Sequence, residues 1–410
     1  MKNIINFLGI VTLPVIIIFA ATACSNPAGS GAASCTVIFY DSGNTEMSAL
    51  AQTVTSGTVI TLKSWKDPGM NKAGYTLAGW QISGSGKVYN GDYTVTGDTT
   101  FYAKWLDGDW KGIDTAAELI SKITDDPSES YFLTADISLA NYNSGVWTPI
   151  GYDGNVNKFA FSGILEGNGN RVTGLTVNTL IYDYAGLFST IDGGTVRNLG
   201  VVIASGGIIG NDDITEIGGI TGILDSGKII NCYTMGNING DGWIAGGIAG
   251  EVNDSEISNC YSTGNISTNN DAGGIAGLVY KSKITNCYST GNITAYNNAG
   301  GIIGNFSNTG EITGCAAINP SIYSDGSAGR IVGALDGGSE QKVEKNIAYD
   351  SMKATGDAEF SGDVYNDGVD TLIGAFKDKS TWVNLGFMFG FDDTAPWKMP
   401  ADGYPVFYWQ

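Results

Sequence analysis

Two hydrophobic patterns run along this chain, and they change over near residue 107. From 35 to 106, β-branched or aromatic residues alternate with polar ones in CTVIFYDSG, GTVITLKSW, GYTLAGWQI and TTFYAKWL, with Gly, Asn and Asp between the runs. Period-two alternation broken by turn residues predicts short strands in a small β module. Its expected core is Val37, Phe39, Val59, Ile60, Leu62, Tyr75, Leu77, Trp80, Tyr93, Val95, Phe101 and Trp105. Beyond it, DTAAELISKI has helical spacing, and Thr115 and Glu118 stand three apart as in a capping box.

From about 107 to 350 the apolar positions recur at a long period. Short apolar strands align as RVTGL, TVRNL, KIINC, EISNC, KITNC and EITGC, ending at residues 175, 199, 232, 260, 287 and 315. The last three steps are 28, 27 and 28 residues. A fixed long period with two or three short strands per unit predicts a solenoid, each repeat one turn of a right-handed parallel β-helix. Rungs stack about 4.8 Å apart, so equivalent residues form columns. Val172, Val196, Ile229, Ile257, Ile284 and Ile312 then make an inward aliphatic column. Asn198, Asn231, Asn259 and Asn286 make an amide column, with rung-to-rung hydrogen bonds expected as in stacked amides. Lys228, Glu256, Lys283 and Glu311 alternate in sign on successive rungs. Cys232, Cys260, Cys287 and Cys315 form a fourth column.

Those cysteines invite three readings. At about 4.8 Å per rung the outer two lie about 14 Å apart and do not converge on one metal ion, which needs thiolates at about 2.3 Å. Disulfides between neighbouring rungs fit the permitted Cα spacing but not the preferred Cβ spacing. Buried thiols acting as small hydrophobes are the third reading and the one preferred. Cys35, at the edge of the β module, has no obvious partner.

Several stretches resemble known repeats. TVIFYDSGN, AGYTLAGW and TGDTTFYAKW resemble a Listeria–Bacteroides repeat, which implies a β-grasp-like spacer of surface proteins without catalytic duty. AGGIAG (245–250, 272–277), AGGIIG (299–304) and NCYSTGNI resemble the GLUG motif of bacterial surface proteins, including adhesins and the non-catalytic regions of immunoglobulin A peptidases. That resemblance implies scaffold and adhesion. The last segment, 351–410, leaves the repeat and is rich in aromatics. It reads as a cap over the solenoid's open end, in preference to a sugar-stacking platform on Trp382, Trp397 and Trp409.

The N-terminus reads as an address. Lys2, an apolar run from Ile4 to Ala20 and small residues before Cys24 follow the order of a secretory signal, residues 1–23. The ending ATAC resembles a lipobox, although Ala21 stands where Leu is usual. The resemblance implies cleavage before Cys24, lipid on that cysteine and membrane anchoring, with Ser25 favouring the outer membrane and exposure at the surface. Residues 24–34 then form a flexible tether of about 18 Å reach.

Composition narrows the chemistry. There is no histidine, which removes Ser-His-Asp and Cys-His catalysis, HExxH zinc peptidases and His-ligated metals. Net charge is −20, and the three arginines are Arg171, Arg197 and Arg330. No basic cluster exists to neutralise phosphates, so nucleic acid is not an expected partner. Asp212–Asp213 and Asp392–Asp393 are the acid pairs a β-helix polysaccharide lyase or hydrolase would need, yet both read as acidic turns. No cofactor is implied. The expected role is non-enzymatic adhesion to a host or neighbouring-cell glycan or protein, with a ligand-free envelope scaffold and a glycan-active enzyme as alternatives.

Overall fold

The computed structural model describes residues 33–410 apart from 83–84, 154–155, 158, 179–182, 210–215, 241, 337–339, 361 and 363. The segment 1–32, with the expected signal and Cys24, lies outside the described residues, as does Asp212–Asp213.

The first unit is a mixed five-stranded sheet in the order Gln52–Thr55, Ser34–Tyr40, Thr99–Asp107, Tyr75–Ile82, Val88–Tyr89. Ser34–Tyr40 and the central Thr99–Asp107 run parallel, with Val37 opposite Thr99, and the other neighbours are antiparallel. Alternation sends Val37, Phe39, Phe101 and Trp80 into one core, where Phe39 and Phe101 stack at 5.2 Å. Val59 and Tyr75, expected inside, are 57% and 43% exposed. Ile60 takes the inward position, and its neighbour one residue away must face out.

The helix Ala116–Asp125 forms where the capping signal lies. Thr115 Oγ1 accepts from Glu118 N at 3.2 Å, while Glu118 Oε2 accepts from Asp114 N, one residue before the cap. Its buried Ala116, Leu119 and Ile123 join the core of the solenoid that follows.

That solenoid is a stack of parallel rungs. One middle rung comprises Glu256–Ser258, Tyr261–Ser262, Ile266–Ser267, Asp271–Gly273 and Ala276–Tyr280. Five very short strands thus replace the two or three expected, because left-handed corners interrupt the chain every few residues. One corner is the asparagine column, with φ of 54, 53, 52 and 52° at Asn198, Asn231, Asn259 and Asn286. Asn is among the few residues that adopt this conformation at modest strain. A second corner falls at Ser226, Asp254 and Lys281, two residues before the next strand.

The paired glycines answer a different demand. A Cβ on Gly273 would sit 1.9 Å from Ala276 O, and one on Gly274 would sit 2.1 Å from Ser289 Oγ. The chain passes too close to itself there for any side chain.

Register runs rung to rung without slippage through the middle: Val196, Ile229, Ile257, Ile284 and Ile312 are successive partners, continued by Val343. The first rung departs from expectation. Val172 pairs with Ile137 and Val201 on another side of the coil, and Leu165 occupies the place below Val196. RVTGL imitates the repeat strand but belongs to the next side, and Gly174 accordingly lies outside the asparagine column. The 24-residue first step was too short for a rung.

The last segment also departs. The solenoid's far end is closed by the first part of the segment expected as a cap, around Asn366 and Val369–Thr371, and not by the aromatic residues that follow it. Val369–Thr371 pairs with Ile347–Tyr349, Ile331 N donates to Asn366 O, and Arg330 contacts Asp370 at 2.6 Å. The aromatic residues 375–410 instead lie along the flank of the rod, as a helix Lys379–Leu385 and a three-stranded sheet.

Candidate functional site

The cysteine column is interior. Cys232, Cys260, Cys287 and Cys315 are unpaired thiols with no exposed surface. Each donates to the carbonyl two residues back, from Cys232 to Ile230 at 3.2 Å through to Cys315 to Thr313 at 3.6 Å. Burial pushes the Cys260 and Cys315 thiols far up, so neither ionises to a nucleophile. Among the described residues no group of three or more His, Cys, Asp or Glu is placed to hold a metal ion. Cys35, expected without an obvious partner, is disulfide-bonded.

The asparagine column is only partly a ladder. Asn231 Nδ2 donates to Asn198 Oδ1 at 3.0 Å, and Asn198 Nδ2 donates to both oxygens of the buried Glu166 at 3.0 and 3.1 Å. Arg197 and the backbone N–H of Asn168 also donate to that carboxylate, each at 2.8 Å. The other amides serve the flanking segment: Asn259 Oδ1 accepts from Trp397 Nε1, and Asn286 Nδ2 donates to Gly386 O. Asn231 Nδ2 also reaches Asp393 O. Glu166 and the asparagines therefore pin rungs, first rung and terminal segment together.

The feature that sequence reasoning passed over is the tyrosine beside each cysteine. Alternation puts cysteine inward and tyrosine on the outer flank. Tyr233, Tyr261 and Tyr288 stack face to face, centroids 5.1 and 4.8 Å apart and planes within 8°. Residues 375–410 cover this stack. Trp382, Trp397 and Trp409 are buried against it, Trp397 on Phe407 at 4.6 Å and Trp409 on Tyr233 at 5.7 Å. Tyr288 donates to Pro405 O, and Tyr261 contacts Gln410. These tryptophans are thus consumed in packing and present no sugar-stacking surface. The repeated NCY triplet carried the signal for the flank.

Asp392 and Asp393 are structural too. Asp392 Oδ1 accepts from the N–H groups of Thr394 and Ala395, while Asp393 accepts from Tyr408 OH at 2.6 Å and lies 3.7 Å from Lys104. That last contact ties the terminal segment to the N-terminal module, and Asn168 Nδ2, donating to Ala78 O, ties the start of the solenoid to the same module. The charged column holds contacts of 3.3 Å for Lys228–Glu256, 3.5 Å for Lys283–Glu311 and 2.9 Å for Glu311–Lys342. All three have a solvent-exposed lysine and so add little to stability.

One acid is out of keeping with the wall around it. Glu216 is 7% exposed, and its Oε2 has no hydrogen-bond partner among the described residues. Burial, and then the nearby Glu251 charge, push its carboxyl up to about 7.

Large aromatic side chains also remain outward on the rungs. Trp243 and Tyr296 are 48% and 63% exposed at the corners that follow Ile238–Asn239 and Ile293–Thr294. Tyr323, 37% exposed, follows one rung later.

With the geometry established, likeness to known proteins falls into place. Residues 36–104 match the Listeria-Bacteroides repeat domain, and 241–267 and 268–294 each match the GLUG motif. The chain carries both kinds of repeat. Over 139 residues it is 32% identical to halomucin of Haloquadratum walsbyi, a stretch that is 32% of this chain and 1% of halomucin. Among solved structures an IgA1 protease is similar at a TM-score of 0.41 and 16% identity, over 75% of this chain and 26% of that one. The chain thus spans a small part of each protein it resembles. The two GLUG matches are adjacent middle rungs, each one full turn of the solenoid.

Proposed function

We propose that this protein is a non-enzymatic cell-envelope lipoprotein that presents its solenoid at the surface for adhesion. Its ligand is a glycan or a protein of a host or neighbouring cell. The observation that carries this reading is the pairing of a Listeria-Bacteroides repeat with GLUG rungs in one continuous rod. Both are repeat types of surface proteins without catalytic duty. The buried thiols, amides and tryptophans serve packing, which leaves the outward faces as the place for a ligand. The lipid joins at Cys24, after cleavage of residues 1–23, and residues 24–34 hold the rod off the membrane.

Protease treatment of intact cells tests exposure: the rod is expected to be shaved from the surface, and complete protection would place it in the periplasm. Cys24→Ala is expected to move the protein from the membrane to the soluble fraction, and unchanged fractionation overturns the anchor. Lipid on Cys24 needs a free sulfur there, so intact mass tests it: a lipid adduct that reductant does not remove is expected, and a chain without the adduct overturns the anchor.

A further inference from the structure

A column of aliphatic side chains fills space; a column of thiols also carries ligands. Cys232, Cys260, Cys287 and Cys315 stand at one position on consecutive rungs, held by Leu199 one rung earlier and by Asn346 one rung later. Register is continuous across them. The N–H groups of Tyr261, Tyr288 and Ala316 donate to the carbonyls of Cys232, Cys260 and Cys287 at 3.1, 3.1 and 2.9 Å.

The side chains repeat as strictly as the backbone. Cys232, Cys260 and Cys287 each donate to the carbonyl two residues back at the same 3.2 Å. The four sulfurs also lie 3.7, 3.6, 3.8 and 3.8 Å from carbonyls of the preceding rung, those of Val196, Ile229, Ile257 and Ile284. Two contacts with equivalent atoms place each sulfur alike on its rung, so neighbouring sulfurs are one rung apart, about 4.8 Å. Cys260 accordingly interacts side chain to side chain with both Cys232 and Cys287, and Cys287 with both Cys260 and Cys315.

That spacing suits one coordination geometry. The midpoint between two such sulfurs is about 2.4 Å from each, close to the metal–thiolate length of about 2.3 Å. Three sulfurs in a straight column never meet at one point, so zinc and iron–sulfur clusters, which need four ligands, do not fit. A soft ion that takes two collinear thiolates does.

Charge narrows the class further. All four cysteines belong to the apolar core of the solenoid and have no exposed surface. After burial, the groups acting on Cys260 are the thiols of Cys232 and Cys287, with no cation among them. Two thiolates on a monovalent ion leave a buried negative charge, which such surroundings penalise strongly. Two thiolates on a divalent ion leave none. The soft divalent ion with a linear preference is the mercuric ion.

We propose that the thiol column is a binding site for mercuric ion, one ion bridging Cys232 and Cys260 and another bridging Cys287 and Cys315. Each ion breaks a pair of S–H bonds, forms a pair of S–Hg bonds and releases both protons to solvent, with no change in oxidation state. Because the metal displaces the protons, thiols that do not ionise on their own still bind it. Entry follows local opening of the rungs, so uptake is slow. The site is independent of the adhesion reading.

Overnight incubation of the folded protein with mercuric chloride tests it, followed by gel filtration in glutathione, which strips ions held by a single thiol, and by metal analysis. About two ions per chain are expected, and X-ray absorption at the mercury edge is expected to show a pair of sulfurs and no further ligand. Two double variants keep the same number of column thiols and differ in adjacency alone. Cys232→Ala/Cys260→Ala leaves Cys287 and Cys315 one rung apart and is expected to retain about one ion. Cys232→Ala/Cys287→Ala leaves Cys260 and Cys315 two rungs apart, about 10 Å, and is expected to retain none. Equal retention by the two variants overturns the site, as does folded wild-type protein that retains no mercury. The absorption spectrum is read on the wild type and decides without the variants: a shell of three or more sulfurs, or of one sulfur with oxygen or chloride, overturns the bridge. Zinc chloride in place of mercuric chloride is expected to leave nothing bound, and zinc held on these cysteines would overturn the linear geometry.

Discussion

At the residue scale, the repeat owes its regularity to what each corner permits. Asn259 holds φ of 52°, where a β-branched residue is strained. Asn259→Val is therefore expected to destabilise the protein by about 1–2 kcal/mol more than Asn259→Gly, read by urea unfolding; equal losses would remove the corner explanation. Glu216 makes a prediction of opposite sign to most acids. Its carboxyl rises from the ordinary 4.5 to about 7 on folding. Below pH 4.5 it is protonated folded or unfolded and costs nothing; between 4.5 and 7 the unfolded chain ionises first, so stability falls; above 7 the penalty is complete. Removing it with Glu216→Gln is expected to stabilise by up to about 3 kcal/mol at pH 8 and much less at pH 5. A gain independent of pH would contradict the buried-acid account. The thiols give a third test: alkylation without reductant should leave Cys232, Cys260, Cys287 and Cys315 unmodified in the native protein and label all four in denaturant. Native labelling of any of them would show that the column is not closed.

At the element scale, the order of strands within a rung was harder to read than the rung itself. The 27–28-residue steps made the middle rungs legible, because strict repetition leaves one register that keeps Ile229, Ile257 and Ile284 in a column. The first rung misled, since RVTGL has the right pattern on the wrong side of the coil and Leu165 carries the column instead. The aromatic terminus was legible as a covering element but not in its place. Sequence shows that Trp382, Trp397 and Trp409 need burial, whereas the flank they cover follows from the outward tyrosine of each NCY triplet. Trp397 sits at the centre of that contact, against Phe407, Phe387 and two tyrosines of the stack. Trp397→Ala is expected to loosen residues 375–410 at about 3–5 kcal/mol, seen as proteolysis within that segment and nitration of Tyr261. A resistant segment with unreactive Tyr261 would show that the strap does not depend on it.

At the scale of the whole molecule, module, solenoid and terminal segment are joined as one body. Phe132 and Trp110 pack with Ala78 and Leu106 where the module meets the first rung, and Asp393 reaches from the terminal segment to both Lys104 and Asn231. A rod built this way keeps its outward strips at fixed spacing, which suits multipoint contact with an extended ligand. The absence of histidine and the consumption of the conspicuous tryptophans and cysteines by packing direct attention to those strips. The central claim is that this rod binds something outside its own cell. Probing the purified mature chain against an array of immobilised glycans and matrix proteins tests it most directly: saturable binding to at least one of them is predicted, and a folded protein that binds none contradicts the account.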